Sequence, residues 1–505
     1  MNKYPKPSSL SRRDFLAAAG AAAAFSIVPR HVIGAGQTPP SGKVNVAFVG
    51  VGSQGMRVMF GFLKHADIQA VAVCDAIKQA NDYPQWGTNE FRNSVRDLLG
   101  VKAGWEWLSP EAPISLTRTL KVTSGLCGYE PARQIVDAYY AAKTPSGQYK
   151  GCKAFQDFRQ MLDKQADIDA VVIGTPDHLH ATVSIAAMKK GKHVFCQKPM
   201  AHTIYEARKM AEVAKQTGVA TQVAVGVAAS EDTRRLCEWV SSGVAGPIRR
   251  VINWSNRPVW PQGIDRPAES MPVPEGMDWD LWLGPAAQRP YHRVYQPFVW
   301  RGWHDFGCGA LGDMGCYSFD TIFRAMKLGE PDSIEGSSSE LCDESYPKAS
   351  LVNFNFPVEG GRPIELSWYD GGLLPRTPRE LAGGATLDKE GLIFAGSSAS
   401  ILCDFTGGKP RLLSAEKKDF PEPPKTLPRS IGHEREWIEV CKGNKEVQPA
   451  ANFEFSAKVT EALCLGNIAV RTGKRLSWDS AGMKITGSDE AQKLVRREYR
   501  SGWEL

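Results

Sequence analysis

The chain reads as an α/β protein whose first half is a doubly wound parallel sheet. Three observations predict this. Apolar, β-branched runs such as "VNVAFV" (44–49) and "IQAVAVC" (68–74) alternate with helical segments, as in parallel sheets covered on both faces. The first run leads straight into Gly50-Val51-Gly52-Ser53-Gln54-Gly55, and "MRVMFGFL" continues as a helix. From about residue 223 the texture changes to runs that alternate apolar and polar residues, such as "SLVNFNF" and "PIELSWY", as antiparallel strands with one solvated face do.

Bulk properties set the frame. The 505 residues, 42% hydrophobic and 23% charged, suit two or three globular domains. Residues 1–35 carry Lys3, Lys6, Arg12, Arg13 and Arg30 against Asp14, so most of the net charge of +6 sits there and the rest of the chain is near +2. Such a body gives no reason to expect nucleic acid or an anionic membrane as partner. The 11 cysteines include no C-x-x-C pair and no zinc-site spacing, and Cys74, Cys196 and Cys464 fall in apolar runs that suit buried free thiols.

Ser11-Arg12-Arg13-Asp14-Phe15-Leu16 precedes a short Ala-rich segment, 15–28, that is too short to span a bilayer. The stretch resembles a twin-arginine export signal, which implies a signal peptide over 1–35, cleavage within 33–37, and a periplasmic or secreted protein. No cysteine lies at that junction, so no lipid anchor is expected. Twin-arginine transport moves folded proteins, which implies a cofactor loaded before export.

In the strand–turn–helix context, Gly50 makes the tight turn, Gly52 admits a pyrophosphate close to the backbone, and Gly55 lets helix and strand pack. Ser53 and Gln54 open the helix, whose N-terminus favours an anion. The second strand ends at Asp75, twenty residues after Gly55, where a carboxylate suits the ribose hydroxyls and repels a 2′-phosphate. NAD is therefore expected over NADP. Residues 76–150 break the pattern and read as an insertion in a nucleotide domain spanning 43–222. The pattern resumes with a strand at 170–174 ending at Thr175-Pro176, the helix "HATVSIAAMKKG", the strand "HVFCQKP", the amphipathic helix "TIYEARKMAEVAKQTG" and the strand "VATQVAV".

Ligands in such sheets bind beyond the carboxyl ends of the strands. The exits at 50–55, 175–180 and 197–199 are thus the places for chemistry. Lys198 closes an apolar strand and points toward the crevice, where its ammonium can hydrogen-bond a reacting hydroxyl; the alternative is a solvated surface lysine. Thr175-Pro176-Asp177-His178-Leu179-His180, Gln197-Lys198-Pro199 and "GALGDMGCYSFD", with Gly309, Leu311, Asp313, Gly315 and Tyr317, together resemble the Gfo/Idh/MocA oxidoreductase family over residues 43–330. Two departures stand out: Gln197 replaces the usual Glu, and Tyr317 stands where the family usually has histidine.

The resemblance implies a C-terminal α+β domain over 223–505, with an open, mostly antiparallel sheet that also serves association of identical subunits. It implies that Thr175, Pro176, His180 and Gln197 join the glycine loop and Asp75 around NAD. It assigns Lys198 and Asp313 to catalysis; the Gly-rich segment is expected to set Asp313 across the substrate from Lys198, with Tyr317 as proton acceptor, or His304, whose alternative reading is a satisfied structural histidine. Trp300, Arg301 and Trp303 in "WRGWH" suit a sugar, whose C–H faces stack on rings while its hydroxyls take hydrogen bonds; no metal is called for. Three functions follow: an NAD(P)-dependent sugar oxidoreductase with a tightly held cofactor, a redox-neutral glycosidase or lyase acting through a transient keto-sugar, or a sugar-binding protein without turnover.

Overall fold

The computed structural model describes residues 42–109, 113–115, 121–381, 385–413 and 422–505. The motif Ser11–Leu16 lies outside them. In chain order the strands of the first half are β1 (Val44–Val49), β2 (Ile68–Cys74), β3 (Ala80–Gln85), β4 (Pro113–Ser115), β5 (Lys121–Cys127), β6 (Lys153–Phe155), β7 (Ala170–Ile173), β8 (His193–Cys196) and β9 (Thr221–Val223). Six of them form a parallel sheet in the order β6-β2-β1-β7-β8-β9. The strand order reverses between β1 and β7, so the crevice at that switch point opens beyond Val49 and Ile173.

Local sequence explains the elements. The run "VNVAFV" is buried along almost its whole length because helices cover both faces of the sheet. The helix Ile204–Thr217 starts at a capping box, with Thr203 and Glu206 satisfying each other's backbone N–H groups, and ends at Gly218 in the left-handed region. Its Ile204, Ala207, Met210 and Val213 are buried along one stripe.

The stretch 76–150 divides in two. Residues 80–127 carry a separate antiparallel sheet, ordered β3-β5-β4, and the helix Glu90–Leu99. The helix Tyr129–Ala141 instead puts Ala132, Ile135 and Val136 into one core with Val46 and Phe48 of β1. It is the crossover from β2 to β6 and belongs to the doubly wound sheet, so the inserted part is confined to 80–127.

The second half contributes β10 (Ile248–Trp254), β11 (Ser333–Ser338), β12 (Ser350–Phe356), β13 (Ile364–Tyr369), β14 (Gly391–Gly396), β15 (Ser400–Cys403), β16 (Arg411–Leu413), β17 (Arg475–Asp479) and β18 (Lys484–Thr486). They form a nine-stranded sheet, antiparallel except where β10 meets β13. The alternation in "SLVNFNF" places Val352, Phe354 and Phe356 against the helices Gly309–Met326 and Phe453–Thr472, and leaves Asn353 on the opposite, exposed face. The helix Phe453–Thr472 spans two cores: Phe453 and Ala457 pack with the parallel sheet, Val459 and Leu463 with the antiparallel one. This places the start of the helix Gly309–Met326 at the mouth of the crevice. Among the described residues no helix is long and apolar enough to cross a membrane.

Candidate active site

A cavity of about 380 Å³ occupies the crevice, walled by the exits of β1, β2, β7 and β8, by the inserted sheet and by the second half of the chain. Its nucleotide end is built on the glycine loop. Gly50 has φ +81°, and a Cβ there would lie 2.4 Å from the Thr175 nitrogen. A Cβ on Gly55 would lie 1.9 Å from the Gly50 carbonyl oxygen, so this glycine serves packing and does not line the cavity. Gly52, Ser53 and Gln54 do line it.

The residues present fit a dinucleotide. Ser53 Oγ, at the start of the helix Ser53–Leu63, and Thr175 Oγ1, at the exit of β7, are buried without a hydrogen-bond partner, and both residues line the cavity. Orphaned hydroxyls at a glycine turn and at the adjacent strand exit suit ligand oxygens. The Asp75 carboxylate accepts from the Val51 nitrogen at 2.7 Å and the Ile77 nitrogen at 3.0 Å, which ties the glycine loop to the end of β2. Burial pushes its pKa up to about 6 against the pull of those two donors.

His180 is fully buried, and its ring nitrogens lie 2.7 Å from the Pro199 carbonyl and 3.0 Å from that of Thr175. Burial holds its pKa down at about 4, so the neutral ring donates its one N–H to one of these carbonyls and packs against the other. It does not line the cavity, which corrects its expected place among the cofactor contacts: it positions Thr175 and the Lys198–Pro199 turn. Pro176 and Gln197 do line the cavity.

Lys198, Asp313 and Arg301 meet at the other end. The Lys198 ammonium donates to the Asp313 carboxylate at 2.9 Å and to its backbone carbonyl at 2.7 Å. Arg301 Nε donates to the same carboxylate oxygen at 2.9 Å, and another guanidinium N–H reaches the Phe298 carbonyl at 3.0 Å. Lys198 and Asp313 are therefore direct partners, not groups facing each other across a substrate. The pairing follows from the helix start at Gly309, which brings Asp313, four residues further on, to the exit of β8. The two cations hold the Asp313 carboxyl down at about 2 despite burial. Asp313 in turn keeps Lys198 charged, well above the ordinary lysine range. An ammonium has three donors; two are spent on Asp313 and the third is available to a ligand.

The Lys198 ammonium sits 4.9 Å from the centre of the Tyr317 ring, which also lines the cavity. Burial raises the phenol pKa and outweighs the ammonium's lowering effect, so Tyr317 rests neutral. His304 does not share the site. Its Nε2 lies 3.0 Å from the Cys342 carbonyl, its ring packs edge-on against Tyr346 with centroids 4.3 Å apart, and it faces no part of the cavity. Trp303 is likewise core: it is 1% exposed and donates to the Val294 carbonyl. Trp300 and Arg301, which do line the cavity, sit within the short 3₁₀ turn Val299–Gly302, and the chain leaves that turn for the core at Trp303.

Three contributors were not singled out from sequence. Asp177 lines the cavity, is 1% exposed, and accepts from the Cys308 nitrogen at 3.1 Å. Burial pushes its pKa up to about 7, with Asp313 adding to the rise and Arg301 and Lys198 opposing it. Its signal was the acid inside T-P-D-H-L-H. Tyr83 and Trp86 come from the inserted sheet, where no motif marks them; Tyr83 lies where a Cβ on Gly52 would project, and Trp86 packs edge-on against Phe298 at 5.4 Å. Among the described residues no group of three or more His, Cys, Asp or Glu side chains could hold a metal.

A glycine-loop parallel sheet joined to a lysine–aspartate pair at its carboxyl edge defines an NAD-binding oxidoreductase fold. Residues 128–225 match the family model for an oxidoreductase NAD-binding Rossmann fold, and residues 238–339 match the model for the same family's C-terminal alpha/beta domain. Both models are those of the Gfo/Idh/MocA oxidoreductase family. The glycine loop lies upstream of the first match, from which the inserted sheet separates it.

Levoglucosan dehydrogenase of Pseudarthrobacter phenanthrenivorans is 35% identical over 92 residues, 18% of this chain and 23% of that protein. The 1,5-anhydro-D-fructose reductase of Ensifer adhaerens is 26% identical over 160 residues, 31% of this chain and 37% of that protein. The matched stretches thus span well under half the length of these relatives. The solved structure of the WlbA dehydrogenase of Bordetella pertussis, with NADH and UDP-GlcNAcA, shares the fold: its TM-score is 0.53 at 15% identity, over 86% of this chain and 99% of that one.

Proposed function

We propose that the protein oxidises a sugar or sugar derivative with an NAD that it holds through the catalytic cycle. The observation that carries this is the Lys198–Asp313–Arg301 cluster beside Tyr317, in one cavity with the glycine loop. Relatives named for levoglucosan and for 1,5-anhydro-D-fructose support a carbohydrate substrate. NAD supplies the hydride acceptor. Gly50, Gly52, Ser53, Gln54 and Asp75 hold it, together with Thr175, Pro176 and Gln197 at the neighbouring strand exits.

The chain's own residues do the rest. Lys198, kept charged by Asp313, directs its free N–H to the reacting hydroxyl oxygen and stabilises the negative charge that grows there. Tyr317, neutral beside that ammonium, relays the proton: it accepts the one leaving the same oxygen while its own phenolic proton passes to water. Asp177 is the carboxyl at this end of the cavity that changes charge near neutrality, and its ionisation favours proton departure from the substrate. Trp300 and Arg301 stack on and hydrogen-bond the sugar.

Export by the twin-arginine route accounts for a cofactor held tightly, since no free pool replaces one lost outside the cytoplasm. Replacing Arg12 and Arg13 by Lys should leave folded protein in the cytoplasm; unchanged appearance in the periplasm would refute this route. The exposed face of the nine-stranded sheet, with Asn353 and the Arg250–Glu365 pair, is the proposed surface for association of identical subunits. The test of the reaction is the product: a mixture of candidate sugars incubated with purified protein should yield a sugar with one hydroxyl oxidised, in amount equal to the NAD reduced. Release of an aglycone with no net reduction of NAD would overturn net oxidation.

A further inference from the structure

We propose that the sugar this cavity takes is anionic, with a carboxylate or sulfate seated against Arg257 and Arg301. The inference rests on the oxidoreductase reading only for where the substrate lies.

Arg257 follows the last strand residues of β10 at the mouth of the crevice, is half-buried, and lines the cavity. Its backbone is engaged: the nitrogen donates to Ser255 Oγ at 3.3 Å and the carbonyl accepts from Gly371. Its guanidinium has no acid and no hydrogen-bond acceptor among the described residues. Most other charged groups of the cavity have ionic partners, although Lys198 keeps one N–H free and Asp75 and Asp177 accept only from backbone nitrogens. Arg57 is paired with Glu90, Asp157 with Arg159, and Lys198 with Asp313. Arg301 gives Nε to Asp313 and one terminal nitrogen to Phe298, and its other terminal nitrogen has no partner.

The wall that the second half contributes between residues 257 and 301 therefore presents two guanidinium groups and no carboxylate. Between them in the chain lies Trp260, whose ring Arg301 approaches at 6.0 Å. Gln296, 4% exposed and also lining this wall, has its Oε1 buried without a partner. Unclaimed guanidinium N–H groups beside an unclaimed amide oxygen and aromatic faces match a sugar ring that carries one anionic group and several hydroxyls. Guanidinium geometry suits a planar two-oxygen acceptor or an oxyanion. A neutral sugar would leave Arg257 desolvated and unpaired on closing the cavity, which costs affinity. The pyrophosphate of a dinucleotide is served by the glycine loop at the opposite end, so it does not account for Arg257.

The experiment pairs each anionic sugar with its neutral counterpart on the purified holoprotein: glucuronate with glucose, galacturonate with galactose, glucose 6-sulfate with glucose. Binding is read from tryptophan fluorescence, since Trp86, Trp260 and Trp300 line the cavity, and turnover from reduction of the bound nicotinamide. One anionic member should bind at least tenfold more tightly than its counterpart; which member does so separates carboxylate from sulfate. Arg257→Gln should shrink that preference roughly 10- to 100-fold, the usual range for loss of a charge-assisted hydrogen bond, with Arg257→Lys in between. Preferential anion binding without reduction of the nicotinamide upholds this subsite and overturns the oxidoreductase reading. Equal binding of both members of every pair overturns the subsite. So does an Arg257→Gln protein that loses its NAD on purification, since that places Arg257 on the cofactor.

Discussion

Asp313→Asn isolates the electrostatic core of the site. The substitution keeps the side chain's shape, so no void forms, but removes the one negative charge that Lys198 and Arg301 share. Each of their nitrogens lies 2.9 Å from the same Asp313 oxygen, so the two cations are held within about 6 Å of each other. At an effective dielectric near 20 their unscreened repulsion is about 3 kcal/mol. Measured costs for removing one partner of a buried charge cluster run to about 3–5 kcal/mol. The variant should therefore lose about 3–5 kcal/mol in urea unfolding of the holoprotein. Adding Lys198→Met removes one of the two stranded cations and should restore about 2 kcal/mol or more, a coupling that independent sites do not show. An Asp313→Asn protein within about 0.5 kcal/mol of wild type, or a double variant that simply sums the two losses, would refute the reasoning.

Two further outcomes follow from other carboxyls. Asp75→Ser should narrow the preference for NAD over NADP and also weaken retention of either, because Asp75 holds the Val51 and Ile77 nitrogens as well as excluding a 2′-phosphate; competitive reloading of apoprotein with both dinucleotides measures this, and an unchanged preference would contradict it. Asp177 has its carboxyl pKa raised by burial from 3.8 to about 7, so ionising it costs stability: the penalty is absent below the unfolded value, grows as pH rises, and is complete above about 7. At about 1.4 kcal/mol per pKa unit the full penalty is roughly 4 kcal/mol. Asp177→Asn, which still accepts from Cys308, should gain on wild type in urea unfolding between pH 5 and pH 8, by an amount on that order, and should flatten the rise of sugar oxidation through pH 7. A constant difference across that range would contradict it.

Much of the first half was legible because its signals are local. Gly50, Gly52 and Gly55 fall in one strand–turn–helix motif, although only Gly55 is forced from within it, by the Gly50 carbonyl, while Gly50 abuts the Thr175 nitrogen and Gly52 the Tyr83 ring; the capping box at Thr203 and Glu206 is written in four consecutive residues. The lysine at the exit of β8 was legible for the same reason: an apolar strand ends there, and its carboxyl end faces the crevice. What sequence did not show was how distant segments meet. His304 and Trp303 lie within a few residues of Arg301, yet the 3₁₀ turn at Val299–Gly302 sends them to the core. Asp313 was expected across the substrate because chain separation says nothing of whether a helix start reaches a strand exit 115 residues earlier. Trp86 and Tyr83 reach the cavity from an inserted sheet whose placement no spacing predicts. Lys198 lowers the Tyr317 pKa, but burial outweighs it, and burial is a property of the folded environment.

The central claim is that NAD and the Lys198 cluster share one working site. The direct measurement is the near-ultraviolet absorbance of the nicotinamide in purified protein on addition of sugar, followed in single turnover for wild type and for Lys198→Met. Wild type should carry NAD and reduce it, while Lys198→Met should carry the same NAD and reduce it ~10²–10⁴-fold more slowly, the usual cost of losing one positioned acid–base group. A Lys198→Met protein that reduces its NAD as fast as wild type, or a wild-type protein that holds none, would contradict the account.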